Sequence, residues 1–146
     1  MSDQRAVHVI DAFTTEPLTG NPAGVVADAD GLTDGQMRAV ASELGASETA
    51  FVQSAADADR RLRFFTPAEE IGLCGHATVA AHAHLYAEGQ IEAGTHAVAT
   101  ETGDVTVEVE DDGTVWLTSG VPEVTAADVP PARVADALGI ETGHFV

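Results

Sequence analysis

The sequence predicts an α+β domain in which a curled sheet of short strands surrounds one helix. Glycine, proline and aspartate divide most of the chain into short strand-like segments. Residues 75–87, GHATVAAHAHLYA, are instead small and apolar on nearly every side. Because a surface helix keeps a polar face, we expect this helix to be enclosed by the other elements.

The length and composition are those of one folded domain. The chain has 146 residues, of which 45% are hydrophobic, and its mean hydropathy is +0.05. A chain of this size can bury roughly two thirds of its unfolded surface. These values argue against disorder, and the single cysteine, Cys74, excludes a disulfide-stapled fold.

The chain is strongly acidic, with 24 Asp and Glu residues against six basic residues and a formal net charge of -18. All six basic residues are arginine. Because no basic patch can neutralise phosphates, we expect no nucleic acid and no membrane among the partners. The acidity and the missing lysine are typical of a halophilic protein, since molar salt shortens the Debye length to about 3 Å and screens self-repulsion.

The N-terminal residues contain no apolar signal core behind a basic stretch. The longest apolar stretch is interrupted by His82 and His84, so it is well short of a membrane span. We therefore expect a cytoplasmic protein.

The strands are predicted from alternating or continuous apolar runs that end at turn residues. In residues 105–109, valines alternate with Thr106 and Glu108, which predicts one buried face and one exposed face. Residues 111–113, DDG, predict a hairpin turn. The predicted strands cover residues 7–13, 24–27, 49–53, 61–66, 70–73, 97–100, 105–109 and 114–118.

Three helices are predicted. Residues 34–44 place apolar side chains at helical spacing, with Thr33 or Asp34 as the N-cap and Gly45 just past the end. Residues 75–87 form the enclosed helix, and residues 132–138 form a short helix between two prolines and a glycine. We take residues 1–120 as the compact domain and residues 121–146 as a connecting segment.

Glu48 is the first candidate for chemistry. It lies between the helix over residues 34–44 and the apolar strand that follows. A carboxylate at this junction would be partly desolvated, which suits it to proton transfer near neutral pH. The alternative is a solvated loop glutamate.

Cys74-Gly75-His76 is the second candidate, at the predicted start of the enclosed helix. Free backbone N–H groups at a helix start attract anions, and Gly75 lets a ligand approach the main chain. His76 could donate to a substrate carboxylate or carry a proton, or it could be a capping or core histidine. Cys74 could be a nucleophile or base, or a small buried apolar side chain.

Asn21 and the histidines complete the candidates. Gly20-Asn21-Pro22 predicts a rigid turn between two strands, which is ordinary turn chemistry when it stands alone. His76, His82 and His84 lack the i, i+4 spacing that places two metal ligands on one helix face, so we expect no metal site there.

Six segments in order and spacing resemble the PhzF-like phenazine biosynthesis proteins, which are relatives of diaminopimelate epimerase. The resemblance extends from residue 7 to about residue 120. Its segments are DAFT at 11–14, GNPAGVV at 20–26, the helix that contains Met37 and ends Glu43-Leu44-Gly45, SETAFV at 47–52, RFFTP at 63–67 and CGHAT at 74–78.

The resemblance implies one half of a diaminopimelate-epimerase-like two-domain fold, in which each half is a curled, mostly antiparallel, barrel-like sheet around a central helix. It implies a cofactor-independent isomerase that moves a proton on a small carboxylic acid. Glu48 would be the general acid/base, Gly75 and His76 would hold and polarise the substrate, and Asn21 would line the same cleft. Cys74 matches a catalytic cysteine of the epimerases and is a secondary candidate.

The chain departs from the family in length. Relatives are about twice as long, and their second domain supplies an acidic EDP-type segment followed by Gly-Ser, which has no match here. Residues 121–146 would then be the crossover and the start of an absent second domain. The chain could be a truncated product, one half of a split enzyme that needs a separately encoded second half, or a half that forms a homodimer.

Three functional hypotheses follow. The leading one is half of a PhzF-like isomerase, and the competing one is a non-catalytic binding or interaction remnant. A thiol-dependent racemase that uses Cys74 is the third, and it needs a second cysteine from another chain because two-base racemisation uses one acid on each face of the substrate.

Overall fold

The computed structural model describes residues 4–126 and 128–144. The strands are β1 (His8–Ala12), β2 (Asn21–Val26), β3 (Thr49–Gln53), β4 (Arg60–Phe65), β5 (Glu70–Ile71), β6 (Gly94–Thr100), β7 (Gly103–Val109) and β8 (Val115–Thr118). The α-helices are α1 (Asp34–Leu44), α2 (Gly75–Ala87) and α3 (Pro131–Leu138), followed by a 3₁₀ turn at Thr142–His144. No helix in the described part of the chain is both long and apolar enough to cross a membrane.

The strands form one curled mixed sheet in the order β1-β2-β3-β4-β6-β7-β8, with β5 paired to β4. The pairs β2–β3 and β4–β6 are parallel, and the other five pairs are antiparallel. Helix α2 contacts β1, β2, β3, β7 and β8, so the sheet bends around it from one edge to the other. This half-barrel confirms the predicted fold class.

Helix α2 is central because its small side chains let the sheet approach from several directions. Ala77, Ala80 and Ala81 are fully buried against residues such as Val25 and Phe64 of the sheet. The predicted bounds of this helix, residues 75–87, are confirmed.

Helix α1 packs on the outside of the half-barrel in a second, smaller cluster. Met37 and Ala41 are buried there with Phe51 and Phe65. Thr33 and Gln36 form a capping box, in which each side chain bonds the other residue's backbone N–H, and the helix ends at Gly45 with φ of 70°. The sequence prediction for this helix and its caps is confirmed.

Strand β2 begins earlier than the sequence predicts. Asn21 and Pro22 were assigned to a turn, but they pair with Ala12 and Asp11 of β1. Proline is tolerated here because β3 pairs with β2 only from Gly24 onward, so the missing N–H of Pro22 breaks no bond between these two strands.

Arg63 was not singled out in the sequence, yet it joins three elements. Its guanidinium bonds Asp34 at 2.8 Å and both carboxylate oxygens of Glu70, and it lies over the Phe65 ring. These carboxylates hold the pKa of Arg63 above its usual range. Arg63 therefore ties the first turn of α1 to strands β4 and β5.

Most of the described residues after β8 are exposed, with Ala135 of α3 as a buried exception. Residues 119–126 and 128–130 form neither helix nor strand. Helix α3 follows, capped by Gly139 with φ of 66°. The division into a domain over residues 1–120 and a crossover over residues 121–146 remains a prediction.

Candidate active site

The predicted acid–base residue lies at the end of the half-barrel where β3 and α2 both begin. Glu48 directly precedes β3, and its backbone carbonyl accepts a hydrogen bond from the N–H of Gly24 at 3.0 Å. A Cβ at position 24 would clash with the side chains of Leu44 and Thr49. Glycine at this position therefore lets β2 approach β3 closely and fixes the backbone of Glu48.

Cys74 is the N-cap of α2, and its side chain makes no capping hydrogen bond. The backbone N–H groups of His76 and Ala77 are directed at its sulfur, which stabilises a thiolate. Burial opposes this effect and is larger, so the pKa of the Cys74 thiol is raised, with a further contribution from the negative charge of Glu48. The thiol is therefore the favoured form at neutral pH.

The imidazole of His76 lies between Glu48 and Cys74. Its Nδ1 is 3.2 Å from Cys74 Sγ, and its Nε2 is 3.3 Å from Glu48 Oε2. The His76 side chain is 12% exposed and that of Glu48 is 22% exposed. Nε2 of His76 meets the distance of an ion pair but has no partner with hydrogen-bond geometry among the described residues. Three groups that can each hold a proton thus lie together in a largely buried cluster.

A groove of about 980 Å³ opens beside this cluster. It lies between β1 and β8, which do not pair with each other, and Val79, Ala80 and Ala83 of α2 contribute to its lining. The walls are mostly apolar, and His76 reaches both the groove and Glu48. The remaining lining residues are Asp11, Ala12, Phe13, Thr14, Thr15, Glu16, Gly75, Asp112, Gly113, Thr114, Val115, Trp116 and Leu117.

The structure brings together Glu48, Cys74 and His76, with Gly75 exposed at the first position of α2. Asn21 is not part of this cluster. It is exposed at the start of β2, opposite Ala12 of the groove wall, and no hydrogen bond joins its side chain to the three within residues 4–126 and 128–144. Ala12 lines the groove, whereas Asn21 itself does not, so the resemblance-based expectation that Asn21 lines the cleft is not met by this groove.

Two features of the site were missed by the sequence analysis. One is the contact of His76 with both Cys74 and Glu48, although the Cys-Gly-His spacing at a helix start could have indicated the first half of it. The other is the groove, which depends on β1 and β8 remaining apart while both contact α2. No local pattern in the sequence contains that information.

A family model described as "Phenazine biosynthesis-like protein" matches residues 10–145 of this chain. The chain belongs to this family. The predicted resemblance is confirmed, and the match also extends through the exposed segment and α3.

Named relatives of this PhzF-like chain are isomerases. The uncharacterized isomerase YfhB of Bacillus subtilis is 40% identical over 139 residues, which cover 92% of this chain and 47% of YfhB. An uncharacterized isomerase of Clostridium acetobutylicum is 45% identical over 119 residues, which cover 78% of this chain and 39% of the relative. The chain spans about half the length, or less, of the curated relatives it matches.

Solved structures agree with the fold. A PhzF-family phenazine biosynthesis protein of Bacillus anthracis superposes with a TM-score of 0.86 at 36% identity, and the match covers 94% of this chain and 48% of that one. A hydroxyproline epimerase of Agrobacterium vitis superposes with a TM-score of 0.59 at 14% identity. The second likeness concerns the fold alone.

Proposed function

We propose that this chain provides the acid–base half of a cofactor-independent isomerase that moves a proton on a small carboxylic acid. The observation that carries the proposal is the 3.3 Å approach of the Glu48 carboxylate to the His76 imidazole at the N-terminus of α2. The isomerase names of the relatives support the same class of reaction.

Glu48 acts as the base in the proposed reaction. It takes a proton from one carbon of the substrate and returns that proton to another carbon, so no redox change or external reactant is required. His76 holds and polarises the substrate while it stabilises the Glu48 carboxylate. At the start of α2 the backbone N–H of Gly75 is offered to the substrate carboxylate, because those of His76 and Ala77 are directed at the Cys74 sulfur, and the missing side chain of Gly75 leaves the approach open.

Substitution of Glu48 provides the direct test of this mechanism. We expect Glu48→Gln to lower turnover by roughly 10² to 10⁴, because the amide keeps the shape of the side chain and removes its basicity. Cys74→Ala should lower turnover far less. The measurement is deuterium uptake from D₂O into a panel of small carboxylic acids, followed by mass spectrometry in an assembly that has activity.

Glu43→Gln is the matched control, since Glu43 is an exposed glutamate on α1. A larger loss of activity in Cys74→Ala than in Glu48→Gln would replace the glutamate mechanism with the thiol-dependent racemase. Equal activity in Glu48→Gln and Glu43→Gln would overturn the role of Glu48.

We propose that the groove between β1 and β8 is completed by a second half, because the chain spans about half the length of its relatives. Trp116 and Phe13 line this groove and are 58% and 73% exposed, which leaves apolar surface available for packing. In molar salt the purified chain is expected to form a homodimer or a larger oligomer with negligible activity. A separately produced second half should convert it to an active heterodimer, as sedimentation and deuterium uptake would measure.

The competing function is a non-catalytic binding or interaction module derived from the same family. A well-behaved monomer that gains no activity when the second half is added would favour this module over the isomerase.

The acidic composition supports a cytoplasmic protein adapted to high salt. With a net charge of -18, self-repulsion opposes folding in dilute buffer and is screened at molar salt. We expect the melting temperature and any isomerase activity to rise from low salt to molar salt. Equal melting temperatures in both conditions would contradict the halophilic assignment.

A further inference from the structure

We propose that Glu48, Cys74 and His76 also form a binding site for one thiophilic divalent cation, with Zn²⁺ as the best fit. One donor atom from each side chain lies within 4.8 Å of the other two. The sequence analysis weighed only the histidines of α2 as metal ligands. The fold instead combines one of these histidines with the N-cap cysteine and a glutamate from the start of β3.

The donor set selects the metal. Zinc accepts thiolate, imidazole and carboxylate ligands at bond lengths of about 2.0 to 2.3 Å, so ligand atoms in a tetrahedral site are roughly 3.4 Å apart. Cys74 Sγ and His76 Nδ1 are already 3.2 Å apart. Magnesium and calcium prefer oxygen ligands, and a site with a thiol and an imidazole disfavours them.

Glu48 has to move to complete the site. Its carboxylate now faces Nε2 of His76, on the other side of the imidazole from the Cys74 contact. The side chain is partly exposed and rotates about three bonds, so it can turn an oxygen that already lies within 4.8 Å of the other two donors toward a metal bound at Nδ1 and Sγ. His76 also lines the groove, from which water would reach a fourth position.

The electrostatics of the site favour the complex despite the positive end of the α2 dipole. Binding releases the thiol proton to solvent, so thiolate and carboxylate together neutralise the two charges of the cation. The backbone N–H groups of His76 and Ala77 remain directed at the sulfur and would stabilise the bound thiolate as outer-shell donors. The net charge of -18 raises the local concentration of cations around the whole molecule.

Metal binding and the proposed proton transfer would compete, because both use the Glu48 carboxylate. This consequence rests on the proposed function, whereas the binding itself does not. Zinc is therefore expected to inhibit an active assembly, and a chelator should restore its activity.

Cobalt provides a readout that does not depend on activity. The chain is reduced, freed of metal and titrated with Co²⁺. We expect the visible absorption bands of tetrahedral cobalt and a near-ultraviolet thiolate-to-cobalt charge-transfer band. Both should reach their maximum at one equivalent of Co²⁺. Added Zn²⁺ should displace the cobalt and remove both signals. Cys74→Ser should abolish the thiolate band.

Two conservative variants keep the proposal testable if Cys74→Ser does not fold. Glu48→Gln and His76→Asn should each weaken Zn²⁺ binding by at least ~10-fold, while the controls Glu43→Gln and His96→Asn bind as the parent does. A cobalt complex without the thiolate band, or equal affinity in Glu48→Gln and Glu43→Gln, would overturn the site. If Glu48→Gln loses Zn²⁺ binding but keeps the isomerase activity of Glu43→Gln, the metal site stands and the proposed function alone is overturned.

Discussion

The two ends of the half-barrel both place histidines against α2, but they give these histidines opposite surroundings. At the end where α2 begins, His76 meets a carboxylate and a thiol beside an open groove. At the other end, histidines meet each other and an arginine. The groups at that end are His8 of β1, Arg60 of β4, His82 and His84 of α2, and His96 of β6.

His82 shows what the second environment does. It is fully buried, and its Nδ1 lies 2.9 Å from the carbonyl oxygen of Thr78. Burial lowers the pKa of His82 to about 4, while the Thr78 carbonyl opposes the shift and the charges of Arg60 and His96 add to it. The ring is therefore neutral at physiological pH and fills space in the core.

The chemistry of each histidine on α2 therefore depends on its surroundings and not on the helix itself. His76 and His82 lie on the same helix, less than two turns apart. The sheet supplies a carboxylate at one end and positive charge at the other. The proposed proton transfer therefore belongs to the end where Glu48 lies beside His76.

The largest expected difference between the two ends is the loss of folding stability at acid pH that His82 causes. Its folded-state pKa of about 4 lies below the ordinary value of 6.5, so the unfolded chain binds a proton in this range and the folded chain does not. The free energy of unfolding should fall by about 3 kcal/mol as the pH drops from above 6.5 to about 4. Urea unfolding at several pH values should show that His82→Gln removes this part of the pH dependence.

The difference between the parent and His82→Gln isolates the effect from the many carboxylates, which titrate in both proteins. His8→Gln serves as a control for the loss of a histidine that is only partly buried and does not contribute to the pKa shift of His82. The prediction would be contradicted if the free energy of unfolding changed with pH in the same way for the parent and His82→Gln between pH 4 and 6.5. His82 would then bind its proton in the folded chain as it does in the unfolded chain.

A smaller effect is expected from Arg60, whose positive charge lowers the pKa of His82. Arg60→Gln should raise the pKa of His82 and so move the acid destabilisation to a higher pH and reduce its size. Arg61→Gln is the matched control, because Arg61 is the next residue of β4 and is exposed. The same unfolding curves measure both variants, and an identical response of the two would contradict the coupling.

The smallest effect concerns His8 and His84, whose rings are tilted by 38° with their centroids 4.2 Å apart. Burial lowers the pKa of His84, and the charge of His8 lowers it further. His8→Gln should therefore raise the pKa of His84, as an NMR titration of the ring protons would measure. No movement would show that burial alone controls this residue.

The sequence predicts those parts of the fold that depend on local signals. The bounds of α1 and α2 are confirmed, because Thr33 and Gly45 cap α1 and the small apolar residues of α2 extend without interruption. Strand starts are predicted less well. Strand β6 begins at Gly94, before the predicted residue 97, because it pairs with the whole of β7.

The candidate site likewise has one part that local sequence signals predict and one part that they do not. The Cys-Gly-His segment at a helix start carries its own signal, and the structure places it there. The approach of Glu48 to His76 depends on the parallel pairing of β2 with β3 and on the curvature of the sheet, which are long-range properties. The resemblance groups Asn21 with the other site residues, but the fold pairs it with Ala12 at the start of β2, apart from the cluster of Glu48, Cys74 and His76.

The unpaired edges of the half-barrel also have a consequence for motion. Strand β8 has four residues and one neighbouring strand, whereas β3 is paired on both sides in the middle of the sheet. Amide hydrogens of β8 should therefore exchange with solvent faster than those of β3, through opening events that leave the centre of the sheet closed. Because β8 forms one wall of the groove, the groove can widen by local fluctuation without unfolding of the domain.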